Sequence, residues 1–248
     1  MFVAILAVLP MALLAVYSFA RSWFWPDIAP KEWSTAAWRY VFSQESGFGS
    51  SLASSSGIAV IVSLIAVGVA LPGARALAWQ EFRGKRSLLF LLLLPVLSPP
   101  LAAAMGLHAM FLRMGLEDTV TGVVLVHLIP ALPYAILTLT GSFSRLDPDL
   151  EAQARTLGAS RVQVFLKITL PAIAPGVAVA AAFAFLISWS QYLITLLIGG
   201  GRVLTLPLLL VAFLNGGDQA ISAALSLVYI LPTIAIFVAV SRYLRYDT

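Results

Sequence analysis

The stretch FSRLDPDLEAQARTLGASRVQVFLKITLPAIAPG, Phe143 to Gly176, is polar text set inside an otherwise apolar chain. Local chemistry gives it a shape. Asp147 is placed to cap orphan amides, and Pro148 fits a first helical position, where no N–H is needed. The helix is expected to continue through Glu151 and Arg155, an i,i+4 pair on its exposed face, with Leu150, Ala154 and Leu157 as the opposite apolar stripe. Gly158 ends it, because glycine accepts the left-handed conformation at a helix C-terminus. Ser160 and Gln163 have capping-box spacing and open a second helix, whose apolar face is Val162, Phe165 and Leu166; Pro171 and Pro175 are expected to break the chain after it. A plain connection takes a few residues. This one is longer, internally capped and amphipathic, so it presents a surface.

What flanks this segment fixes the solvent. Of 248 residues, 60% are hydrophobic and 10% are charged, with a mean hydropathy of +0.97. Soluble domains carry about 25% charged residues, so most of this outer surface faces something apolar, and a helical bundle in lipid satisfies the backbone internally. A hydrocarbon core of about 30 Å takes about 20 apolar residues. Six spans are expected near 2–20, 52–74, 88–110, 119–141, 176–198 and 219–241, with Leu88 to Leu94 before Pro95 the plainest apolar run and Pro232 interrupting the last. The fold class is therefore an all-α membrane protein of six transmembrane helices, a single domain over 1–248 with the polar loop at about 143–175 between the fourth and fifth spans.

Orientation follows the basic residues. With the N-terminus inside, the inside segments hold ten: Arg75, Arg83, Lys85, Arg86, Arg145, Arg155, Arg161, Lys167, Arg242 and Arg245. The outside segments hold five: Arg21, Lys31, Arg39, Arg113 and Arg202. Both termini are expected in the cytoplasm. The first hydrophobic run lacks a basic n-region and a clean cleavage site, so it reads as a retained span, and the abrupt start points to a short missing N-terminal piece. Trp23, Trp25, Trp33 and Trp38 place the first outside segment along the membrane surface, by interfacial anchoring or as a contact for an external partner.

The net charge of +4 does not indicate nucleic acid, because the basic residues are scattered singly. Absence of cysteine excludes disulfides and thiolate metal sites. No phosphate-binding G-x-x-x-x-G-K-[ST] sequence is present; Gly47-Phe48-Gly49-Ser50-Ser51 lacks the lysine and leads into the second span. No cofactor is expected.

Gly158, followed after nine residues by Ile168, Thr169, Leu170 and Pro171, resembles the second half of the EAA motif, G-x9-I-x-L-P, of binding-protein-dependent ABC importer permeases. LEAQARTLGAS, Leu150 to Ser160, is similar to that family's L-E-E-A-A-x-x-L-G-A-S. The resemblance spans the whole chain in layout and is specific around 150–176. One position departs: in register with Gly158 the motif glutamate falls on Ala152, with the carboxylate one place earlier at Glu151. Either Glu151 substitutes from there, or the acidic contact is lost.

The resemblance implies a permease subunit of an ATP-driven importer in a bacterial inner membrane, with no enzymatic activity of its own. The loop is then the coupling helix pair, with Leu150, Leu157 and Val162 as grip, Glu151, Arg155 and Arg161 as charge contacts, Gly158 as the turn, and Ile168, Leu170 and Pro171 completing the motif. The implied partners are two ATPase subunits, a second permease, alike or different, and an extracytoplasmic solute-binding protein. The style of the loop is similar to permeases for polyamines, ferric iron, thiamine or sulfate-type anions, with a lean to polyamine or another small cation.

Polar residues in spans mark contacts between helices or a path for solute. His108 and His127 are open to both readings. So are Ser188, Trp189, Ser190, Gln191, Tyr192 and Thr195 on the fifth span, and Tyr134 beside Pro130 and Pro133 on the fourth. Asn215 and Asp218 fall in the last outside loop. Two rival classes stand beside the importer. A secondary transporter requires repeated halves and intramembrane carboxylates, neither of which is evident. A membrane serine hydrolase would draw on Ser50, Ser54, Ser55, Ser56 or Ser98 with a histidine, and no motif fixes a pair.

Overall fold

The computed structural model describes residues 2–23 and 26–246, so Trp25 of the expected aromatic segment lies outside the described residues. Helix α1 (Phe2–Phe19) leads to a short antiparallel pair, β1 (Ala20–Ser22) and β2 (Glu32–Trp33), and then to α2 (Ala36–Val41). The long α3 (Phe48–Trp79) follows, then α4 (Lys85–Leu97), α5 (Pro100–Arg113) and α6 (Val120–Phe143). The polar loop forms α7 (Asp149–Thr156) and α8 (Arg161–Val164). After it come α9 (Leu170–Trp189), α10 (Leu193–Gly199), α11 (Leu206–Asn215) and α12 (Gln219–Tyr246).

The core is α3, α6 and α9 packed together, and α3 shows why they approach closely. Ala59, Ala66, Ala70 and Ala74, four or seven residues apart, are fully buried on one stripe. Ala66, Ala70 and Ala74 meet Val123, Val126, Ala131, Ala135 and Leu139 of α6 and Ala180 and Ala184 of α9, whereas Ala59 packs in a second cluster with Trp189, Leu206, Ala224 and Leu225. Lipid tails are as apolar as these side chains, so close van der Waals packing of small residues drives the association. Ser63 adds a hydrogen bond of 2.9 Å to the Ala181 carbonyl. At Gly176 of α9 the approach is so tight that a Cβ would collide with the Ser142 hydroxyl of α6.

Among the described residues, four helices are long and apolar enough to cross a membrane: α3, α6, the continuous run Arg161–Trp189, and α12. The expected third span is not straight. It breaks at Ser98-Pro99-Pro100, where α4 and α5 meet at 102°, and counted as one bent span the pair makes a fifth. Each proline disfavours helical backbone in the residue before it, so Ser98 and Pro99 turn extended and Pro100 opens α5. The expected fifth span, 176–198, is also corrected. Its helix begins well before residue 176 and ends at Trp189, and Ser190-Gln191-Tyr192 separate it from α10. By contrast, Pro130 and Pro133 sit inside a continuous α6, and Pro232 inside a continuous α12.

In the segment after α1 Trp23 packs on Tyr17 at 4.5 Å between centroids, and Trp38 packs on Phe19 and Phe42. Trp33 stays exposed.

Candidate functional site

The polar loop folds as its caps dictate. The Asp147 carboxylate accepts from the Asp149 amide at 3.0 Å. Gly158 has φ +87°, the left-handed turn that only glycine takes without strain. Ser160 and Gln163 make both bonds of the capping box, the Ser160 amide donating to Gln163 Oε1 at 2.9 Å and the Gln163 amide to Ser160 Oγ at 3.3 Å.

Two expectations fail here. The prolines do not break the chain: α8 runs through a π turn, Phe165–Thr169, straight into α9, making one helix of 29 residues from Arg161 to Trp189. The π turn widens the helix just before Pro171, which has no N–H to give, so the helix carries on. The loop is therefore one short helix, a glycine elbow and the start of a long helix.

The second failure concerns which face is buried. Glu151 points inward, only 5% exposed, beside buried Ala154, whereas Leu150 is 42% and Leu157 88% exposed. A carboxylate buried this deeply requires partners, and it has three. Arg75 Nη2 of α3 lies 2.5 Å from Glu151 Oε2, Thr169 Oγ1 donates to Oε1 at 2.6 Å, and Arg155 Nη2 stands 3.7 Å away. Arg75 also lies over the Trp79 ring at 5.0 Å, and the Trp79 indole donates to the Phe143 carbonyl at 2.9 Å. Glu151 thus ties α7 to α3 and to the π turn. Turning the charge inward turns Leu150 and Leu157 outward, and Val162 (66% exposed) and exposed Arg161 continue the same outer surface. Ile168 and Leu170 are half-buried and Pro171 exposed, in the first turns of the long helix.

Sequence reasoning missed Arg75 and Thr169. Arg75, the single basic residue near the end of a long apolar helix, entered only as an orientation marker. Thr169 is the one polar residue between Ile168 and Leu170, and that contrast was its signal.

His127, Ser188, Gln191 and Thr195 gather at the break between α9 and α10. His127 of α6 is buried, its Nδ1 2.9 Å from Ser188 Oγ and its Nε2 2.9 Å from Thr195 Oγ1, one partner on each side of the break. Thr195 donates in turn to the Gln191 carbonyl at 2.7 Å. Trp189 is buried between Phe185 and Tyr229 and donates to the Tyr229 carbonyl at 3.2 Å. Gln191 and Tyr192 are half-exposed at the break. Tyr134 is exposed near Phe183, 6.4 Å between centroids, away from this cluster's hydrogen bonds. His108 keeps a buried Nδ1 without a partner among the described residues. Asp218 caps α12, accepting from the Ile221 amide at 3.0 Å.

The chain is similar to known transport proteins over most of its length. Residues 68–246 match the family described as binding-protein-dependent transport system inner membrane component. The trehalose transport system permease protein of Mycobacterium tuberculosis is 34% identical over 172 residues, which is 69% of this chain and 63% of that protein's length. The diacetylchitobiose uptake system permease protein of Streptomyces coelicolor is 26% identical, over 89% of this chain and 79% of that protein. Among solved structures, a bacterial ABC transporter involved in import of the acidic polysaccharide alginate shares the fold, with a TM-score of 0.76 at 18% identity, covering 98% of this chain and 92% of that one. The loop geometry around Gly158 and the match over residues 68–246 agree: the chain belongs to the binding-protein-dependent inner membrane components, the non-enzymatic permease subunits of type I ABC importers.

Proposed function

We propose that this chain, as a single domain over 1–248, forms one transmembrane half of the solute pathway of an ATP-driven importer, with six spans and both termini in the cytoplasm. The six are α1, α3, the bent α4–α5 pair, α6, the Arg161–Trp189 helix and α12. The α7–Gly158–α8 elbow is the coupling element and seats in a cytoplasmic ATPase. Two such ATPases, a second permease and an extracytoplasmic solute-binding protein complete the assembly.

One observation carries this reading. Leu150, Leu157 and Val162 stand exposed beside Arg155 and Arg161, while the opposite side of the same loop is anchored by Glu151 to Arg75 and Thr169. A rigidly held apolar surface with a basic rim suits helix-in-groove docking. Glu151 serves as the inner anchor rather than as a contact for the ATPase. Ile168, Leu170 and Pro171 start the long helix that carries the motion into the membrane.

For the solute, we favour a saccharide over the polyamine expected from the loop's style. The relatives named for trehalose and diacetylchitobiose support this. So does the chemistry around the α9–α10 break, where Gln191 and Tyr192 offer amide, hydroxyl and aromatic surface with no carboxylate. Small-ligand sites combine apolar walls with a few placed polar groups, and Tyr134, Gln191 and Tyr192 are the exposed or half-exposed members of the set. His127 and Trp189, both buried, hold this region in place.

The test is co-purification from gently solubilised membranes. The native chain should bring down an ATPase bearing a phosphate-binding loop, and Gly158→Val should lose it. Absence of any ATPase in several mild detergents would favour a secondary transporter instead.

A further inference from the structure

A cleft of 680 Å³ opens between the loop-side end of α3 and the α7–α8 elbow. Its mouth carries three guanidinium groups, Arg75, Arg155 and Arg161. Among the described residues the only carboxylate lining it is Glu151, already engaged by Arg75 and Arg155. The cleft therefore holds more positive charge than it can neutralise. Its other end is a shallow, open apolar slot: Gly68, Leu71 and Pro72 of α3 line it one to two turns from Arg75 toward the middle of the helix, Gly68 and Pro72 exposed and Leu71 half-buried. Seven residues of helix separate Gly68 from Arg75, about 10 Å.

A cationic mouth above an apolar slot at the end of a membrane helix has the polarity of a phospholipid. We propose that this cleft binds one anionic phospholipid from the leaflet on the loop's side, its phosphate between Arg155 and Arg161 and one acyl chain along Gly68, Leu71 and Pro72. Guanidinium groups match phosphate oxygens in a fork geometry and are weakly hydrated, so they suit this half-sheltered position. An acidic side chain or a free phosphate would satisfy the mouth and leave the slot empty. The inference rests on α3 spanning the membrane, and it is independent of which solute is carried.

Native mass spectrometry of the purified permease–ATPase assembly tests it. Dioleoyl phosphatidylglycerol is titrated against dioleoyl phosphatidylcholine, with inorganic phosphate as a third arm. The expected result is one tightly held phosphatidylglycerol per copy of this chain, at least about tenfold preferred over phosphatidylcholine, since each basic residue near an anionic headgroup contributes on the order of fivefold. Arg161→Gln should weaken it by about fivefold. A Cβ at Gly68 meets nothing within 4 Å, so Gly68→Phe adds a ring to the slot without a built-in clash and should abolish the tight adduct. Equal binding of both lipids, or phosphatidylglycerol binding untouched by both substitutions, overturns the proposal. Inorganic phosphate that displaces the lipid and binds Gly68→Phe as well as the native chain assigns the mouth to a soluble anion, and also overturns it. ATPase co-purification is scored on the same samples. Arg161 also stands on the proposed coupling surface, so ATPase loss in Arg161→Gln bears on the coupling reading, whereas lipid loss in Gly68→Phe with the ATPase retained bears on the cleft.

Discussion

Thr169 donates its hydroxyl proton to Glu151 at 2.6 Å, joining the π turn of the long helix to the short helix on the other side of the Gly158 elbow. With Arg75 on the second carboxylate oxygen, the loop is fastened to two different membrane helices through one side chain.

Replacing Glu151 with Gln keeps the shape and removes the charge. It should cost about 1–3 kcal/mol of stability, the range for breaking a buried hydrogen-bonded group. It should also lower transport with the chain still inserted. A double-mutant cycle with Arg75→Gln, read by thermal unfolding in detergent, should show the two losses falling well short of additive. Additive losses would mean the pair does not interact.

Gly158→Val forces a β-branched residue to φ +87°, at about 1–3 kcal/mol of local strain. Insertion and expression should be unchanged while transport and ATPase capture are lost. Gly158→Asn should be milder, because asparagine tolerates the left-handed region better. Normal transport by the valine variant would remove the elbow from the mechanism.

Gly176→Ala drives a methyl group into Ser142. Overpacking of this kind costs about 1–3 kcal/mol, and Ser142→Ala in the same chain should recover part of it. A lowered melting temperature restored in the double variant checks the contact. No change in the single variant would show that α6 and α9 yield there.

His127→Ala strands the Ser188 and Thr195 hydroxyls on both sides of the α9–α10 break. Melting should fall by the equivalent of about 1–3 kcal/mol, with transport falling further than stability explains. His127→Gln, which keeps a donor and an acceptor, should recover part of both. Equal behaviour of the two variants would mark the histidine as a space filler.

The chain has no cysteine, so single introduced thiols report sidedness. In cells expressing this chain without its ATPase, Leu157→Cys, 88% exposed in the native residue, should label with an impermeant maleimide only after the cells are opened; Ile28→Cys, 96% exposed, should label from outside. The reverse pattern would invert the topology.

Much of the loop was legible because its signals are local. Asp147, Gly158, Ser160 and Gln163 act within four residues of themselves, so spacing alone reveals them. Which face of α7 is buried was not, since that depends on Arg75 arriving from a helix 76 residues earlier in sequence. Amphipathic reasoning turns a charged residue outward by default, and here a partner from another helix reverses it. Membrane segments were found by apolar length, a sum that takes no account of direction. It cannot register the 102° bend at Ser98-Pro99-Pro100 or the gap at Ser190-Gln191-Tyr192. Prolines misled in both directions, because their effect depends on whether neighbouring backbone can widen, as at Pro171, or must turn, as at Pro100.

The unbroken helix from Arg161 to Trp189, 29 residues, is a stiff rod about 43 Å long at 1.5 Å per residue. One tip is the outer half of the elbow, and the other abuts the gap before Gln191 and Tyr192. On the proposed coupling, a push at Ser160 tilts the rod as a whole and reaches the far tip as a swing about the tight α6 contact at Gly176. The position of that fulcrum sets the gain. Gly176 lies 15 residues from Arg161 and 13 from Trp189, near mid-length, so on that proposal motion at one tip is reproduced at the other at nearly equal amplitude and in the opposite direction.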